Sequence, residues 1–106
     1  MTLHDLQKYR DSKTEIRMMR SMLDDISDFE RHRLYTESIE DYEEYGVKLE
    51  RAMQCLSNDE RTVMRAYYLD GENHTWEWIS EFTHFSLQHV YRLRRSALDK
   101  LREVKL

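Results

Sequence analysis

The stretch TWEWISEFTHFSLQHVYRLRRSALDKLREV, residues 75–104, decides the fold. Thr75 stands directly before an apolar run at helical spacing, with Trp76, Ile79 and, at its margin, Phe82 turned inward, and so reads as the N-cap of a short helix. Thr83-His84-Phe85 breaks the run as a tight turn, and Ser86 repeats the capping signal. Beyond it Val90, Leu93, Ala97, Leu98 and Leu101 recur at separations of three, four, one and three. That is the buried seam of a longer helix, from Leu87 to about Val104. Two capped helices, one short and one long, joined by about three residues, have the punctuation of a helix-turn-helix.

Upstream, Ser57-Asn58-Asp59-Glu60 is a capping box, with serine and glutamate each taking an orphan amide of the other's turn. The helix it starts turns Val63, Ala66, Tyr67 and, at its margin, Met64 inward, and stops at Asp70-Gly71, where glycine supplies a left-handed cap. Before it, Tyr42, Tyr45, Leu49, Ala52, Met53 and Leu56 form one stripe of a helix over about 42–56. Gly46 inside that stripe costs about 1 kcal/mol against alanine, which close packing of another helix would explain. Residues 30–41 are polar and weakly patterned and read as a loose connection or a frayed end. Residues 3 to about 29 read as a helix carrying Leu3, Leu6, Ile16, Met19, Leu23 and Ile26, with a polar gap before Ile16 relieved only by Tyr9. Its stripe is expected to pack on the 42–56 helix or on a second copy.

The totals agree. Among 106 residues there is no proline, there are two glycines, and charged residues make up 36%. Breaker-poor, charge-rich composition without strand alternation predicts an all-α protein. The expected organisation is a helical extension over 1–56 and a helix-turn-helix domain over 57–106, its core built from Val63, Tyr67, Trp76, Ile79, Val90, Leu93 and Leu98.

Charge is unevenly spread. From Ser86 to Leu106 six cations face two carboxylates, a balance of +4, so the remaining chain carries −8 of the total of −4. A nucleic-acid binder needs a basic face rather than a basic total. With the seam of the last helix inward, Gln88, Arg92 and Arg95 lie on the opposite face, flanked by Leu87 and Tyr91. Glutamine can pair both edge groups of adenine and arginine both acceptors of guanine, and Leu87 can touch a thymine methyl. Thr75, Ser86 and the free amides at the two helix starts suit phosphates, as does His89 just after its cap. Arg94 and Lys100 are placed for backbone rather than bases.

Other signals are weaker. The histidines, His4, His32, His74, His84 and His89, show no zinc spacing, so no metal is expected. Asp24-Asp25 and Glu43-Glu44 lie on amphipathic helices, where carboxylates are solvated. No nucleophile, phosphate-cradling loop or metal box is present, so neither an enzyme nor a cofactor is expected. Trp76, Trp78, Tyr67 and Tyr68 read as core rather than as a base-stacking platform, with Trp78 the exposed exception that suits a protein interface. The lone Cys55 fits a reducing compartment and reads as a small apolar helix residue. The start, MTLHDLQKYR, has no signal-peptide core, and no run is long enough to span a membrane, so a cytoplasmic protein is expected.

From Leu56 onward the letters resemble the C-terminal, promoter-reading domain of bacterial sigma factors. The matching residues include Leu56-Ser57, Glu60-Arg61, Tyr67-Tyr68-Leu69-Asp70-Gly71, Thr75-Trp76-Glu77, Tyr91-Arg92-Leu93-Arg94-Arg95 and Ala97-Leu98-Asp99-Lys100-Leu101. With its acidic extension the chain also looks like small regulators of the ArpU and RinA type from prophages of Gram-positive bacteria. Together the resemblances imply double-stranded DNA as partner and control of late transcription in a bacterial host cell. The chain departs from the sigma pattern at Thr83-His84-Phe85, where a small residue or glycine is usual, and at Trp78, where an acid is common. The domains that open promoters are absent from this sequence. RNA polymerase and a homodimer are further partners to consider. A second reading stays open, in which the helix-turn-helix, or the acidic extension, binds RNA polymerase or another regulator.

Overall fold

The computed structural model describes all 106 residues and contains helices and turns without a strand. Helix α1, Leu3–Met22, ends in a 3-10 turn at Leu23–Asp25. Helix α2, Phe29–Ala52, runs back antiparallel and ends in a second such turn, Met53–Cys55. Helix α3, Asn58–Met64, widens into a π turn over Arg65–Leu69. Helices α4, Trp76–Thr83, and α5, Leu87–Leu101, complete the chain.

The expected loose connection at 30–41 is instead the first half of α2. Asp28 caps it, accepting from the amides of Glu30 at 2.9 Å and Arg31 at 3.4 Å. No glycine or proline interrupts the run, Ile39 is buried, and Arg33 bridges Glu30 at 3.1 Å and Glu37 at 4.0 Å along the outer face. Uninterrupted propagation from a capped start outweighs weak patterning.

Helices α1 and α2 pack as a hairpin, the first of the two arrangements expected for the stripe, and Ile16 is buried in it. Tyr9 stacks on Tyr42 with ring centroids 4.5 Å apart and planes parallel within 1°. The Tyr9 ring lies over Gly46, where a Cβ would come within 3.1 Å of its Cζ. The close packing expected at Gly46 is therefore present.

The largest core joins both halves of the chain. Leu6 of α1, Leu49 and Met53 near the end of α2, Met64 and Tyr68, and Ala97 and Leu101 of α5 are all buried in it. A smaller cluster, Val63, Ile79 and Val90, ties α3, α4 and α5 together, with Tyr67, Trp76 and Leu93 half-buried around it. Tyr68 enters the core from within the π turn. The Asp70 amide donates to the Arg65 carbonyl at 2.9 Å, an i→i+5 bond that adds one residue to the turn and rotates the residues beyond it. A regular helix as far as Asp70 was the expectation, and it misses this change of face.

Two further expectations fail. Phe82 points outward and is 66% exposed. Cys55 is exposed in the turn after α2 rather than packed on a helix. Its thiol donates to the Ala52 carbonyl at 3.2 Å. No helix is long and apolar enough to cross a membrane.

Candidate nucleic-acid interface

Local chemistry fixes the turn between α4 and α5. Thr75 Oγ1 accepts from the Trp78 amide at 3.0 Å, and Ser86 Oγ from the His89 amide at 3.1 Å, so both expected caps are made. Ser80 Oγ donates to the Phe85 carbonyl at 2.6 Å, and Thr83 Oγ1 accepts from the Phe85 amide at 3.3 Å. His84 takes the left-handed conformation, with φ of 64°. A histidine therefore stands where glycine would fit without steric cost.

The structure brings Gln88, Tyr91, Arg92 and Arg95 together around one shallow concavity on the outer face of α5. Gln88, Arg92 and Arg95 are exposed, and no carboxylate lies in ion-pair contact with either arginine. Leu87 and His89 are half-buried beside it, with His89 edge-on to Phe85 at 5.1 Å. Thr75 and Ser86 are exposed at the two helix starts. A surface of two unpaired guanidiniums, an amide and a phenol can donate to anionic or carbonyl-like oxygens and accept through the amide and the phenol.

The other two candidates have internal partners. Arg94 Nε donates to Tyr68 Oη at 3.4 Å, and its guanidinium lies 5.4 Å from the centre of the Trp76 ring. Burial raises the Tyr68 phenol pKa, and Arg94 partly offsets that rise. Lys100 Nζ donates to Glu60 at 2.6 Å. A phosphate at either cation would have to compete with these contacts.

Glu60 has a role that the capping box alone does not reveal. It takes the Ser57 amide at 2.8 Å as expected, but it also accepts from Ser96 Oγ at 2.5 Å and from Lys100, both on α5. Its side chain is 3% exposed. Burial works against the charge, yet the Lys100, Ser96 and Ser57 bonds prevail and hold its carboxyl down to about 2. Glu60 thereby fastens α5 to the start of α3. The partners lie 36 and 40 residues away, and no local pattern announces them.

The polar gap of α1 also has a use. Arg10 donates to the carbonyls of Tyr67 at 2.9 Å and His74 at 3.3 Å, Lys13 to Leu69 at 2.7 Å, and Arg17 to Gly71 at 3.2 Å. One face of α1 thus caps the end of the π turn and the loop leading into α4. Burial pushes the Lys13 ammonium pKa down. No group of three or more His, Cys, Asp or Glu side chains is placed to hold a metal.

No curated protein and no solved structure matches the chain. A family model does: residues 52–103, which comprise α3, α4 and α5 with the turn before them, match sigma-70, region 4, and this part of the chain is a sigma-like, DNA-binding helix-turn-helix.

Proposed function

We propose that this protein is a sequence-specific regulator of transcription that reads double-stranded DNA with the first turns of α5. The observation that carries the proposal is the concavity formed by Gln88, Tyr91, Arg92 and Arg95, with two arginines free of carboxylates in a chain of net charge −4. In a helix-turn-helix the second helix enters the major groove and the first crosses the backbone. Gln88 and Arg92 lie in the part of α5 that goes deepest and address base edges. Leu87, Tyr91 and Arg95 flank them, while Thr75, Ser86, His89 and the helix-start amides take phosphates. A two-fold symmetric site would take two copies of the chain, and sedimentation of the complex counts them. Control of late genes in a phage or prophage is the setting that the resemblance to ArpU- and RinA-type regulators supports.

One observation favours a second reading, a module that binds RNA polymerase or another regulator. The far end of the α1–α2 hairpin carries Asp24, Asp25, Asp28 and Glu30 beside Phe29, which is 77% exposed. Selection of duplexes from a randomised pool, at two salt concentrations, separates the readings. DNA reading expects an enriched motif whose affinity falls with salt. A pool that stays random at low salt supports the protein-binding module.

A further inference from the structure

A column of stacked side chains runs from the N-terminal extension to the reading surface. The Arg10 guanidinium of α1 lies over the Tyr67 ring at 4.2 Å. Tyr67 stacks on Trp76 with centroids 3.8 Å apart and planes within 7° of parallel. Trp76, the first residue of α4, meets two side chains of α5: Arg94 at 5.4 Å and the edge of Tyr91 at 6.2 Å. Tyr91 in turn lines the concavity with Gln88, Arg92 and Arg95. The two backbone bonds of Arg10, to Tyr67 and His74, fix the segment that ends at the Thr75 cap.

We propose that Arg10 is a positioning residue for DNA reading. It sets the pose of α4 and α5 through Tyr67 and Trp76, and makes the extension part of the reading head rather than a separate appendage. The inference rests on the DNA-reading proposal above. Arg10 lies outside the segment that matches sigma-70, region 4, so the extension supplies this element itself. Three features of the residue matter together: a planar face for the ring, a fork for two carbonyls, and a charge. Lysine keeps only the charge.

The test uses the full chain and a duplex that the wild type enriches from a randomised pool. Affinity is measured for the wild type, Arg10→Ala, Arg10→Lys and Arg33→Ala. The last removes an equal charge from the exposed face of α2. All are compared at a temperature where circular dichroism shows them folded. Arg10→Ala and Arg10→Lys are expected to bind about tenfold more weakly, within the range found for residues that act without touching ligand. Their salt dependence should keep the wild-type slope, because no phosphate contact is lost, and tryptophan fluorescence should shift as Trp76 loses its packing. Arg33→Ala should bind like the wild type. Tyr67→Leu breaks the column without removing a charge and should reproduce the loss if the arginine variants do not fold.

Unchanged affinity in Arg10→Ala overturns the proposal. So does weaker binding with a slope reduced by about 0.9, which would place Arg10 on a phosphate itself. Full recovery in Arg10→Lys would also overturn it, since charge alone would suffice. A wild type that enriches no duplex defeats the DNA reading and this inference together, whereas a binding wild type with an indifferent Arg10→Ala defeats only the inference.

Discussion

Glu60 gives the sharpest test of how α5 is held. Its carboxyl pKa is lowered from 4.5 to about 2 in the folded chain. A group with a lowered folded pKa stabilises the fold when the pH is above its unfolded value. That contribution disappears as the pH falls through the folded value. The window here is therefore from about 5 down to about 2. The shift corresponds to about 3 kcal/mol, a large fraction of the roughly 5–15 kcal/mol that holds a small domain. Glu60→Gln removes the titration while keeping the shape. At neutral pH the variant leaves Lys100 without its carboxylate and places an amide donor near the Ser57 amide and Ser96. It should be less stable by about 3 kcal/mol, as for other broken buried pairs. Urea unfolding followed by far-ultraviolet circular dichroism, repeated from pH 7 to pH 2, measures both effects. Other carboxylates, including Asp5 with its lowered pKa, titrate in both proteins and cancel in the difference. The wild-type advantage should shrink steadily through the window and be mostly gone at its acid end. An advantage that stays constant with pH, or no advantage at pH 7, would refute the account of Glu60.

Gly46→Ala should lower the unfolding free energy by about 1–3 kcal/mol, because overpacking against the Tyr9 ring outweighs better helix propensity; a raised thermal midpoint would contradict this. His84→Gly should raise stability by about 1 kcal/mol by relieving the left-handed backbone, as read from the urea midpoint. Lys100→Ala should lower stability by about 1–2 kcal/mol, less than Glu60→Gln, since the Ser57 and Ser96 bonds to Glu60 remain and solvent screens the half-exposed lysine. The salt slope of DNA binding should not change with it, whereas a phosphate-contacting lysine would flatten that slope by about one unit.

Much of the C-terminal part was legible because its signals are local. The caps at Ser57, Thr75 and Ser86, the stop at Gly71 and the seam from Val90 to Leu101 each need only a few neighbouring residues to be read. The grouping of Gln88, Tyr91, Arg92 and Arg95 follows from that seam once the helix exists. What escaped depends on contacts between distant residues or on a change of helical register. The π turn at Arg65–Leu69 changes the helical register around Tyr68, and nothing in the letters RAYYL marks it. Arg10 and Lys13 in the polar gap, and Arg17 just beyond it, look solvated until the carbonyls of residues 67–74 are placed opposite them. That Lys100 and Arg94, which carry the charge of a DNA-facing residue, also have partners within the fold at Glu60, Tyr68 and Trp76 is likewise not readable from local letters. The first half of α2 was missed for a different reason. Its Asp28 cap was available in the sequence, but the polar run behind it lacked the periodicity that normally signals a helix.

The central claim is that the outward face of α5 reads DNA bases. Its most direct test is the affinity of Gln88→Ala and Arg92→Ala for a duplex that the wild type enriches, set beside single-base variants of that duplex. Each substitution should cost about 1–3 kcal/mol on the preferred duplex and relax preference at one base position, with the fold intact by circular dichroism. If both variants bind the preferred duplex as the wild type does and keep the same base preferences, α5 does not read the major groove.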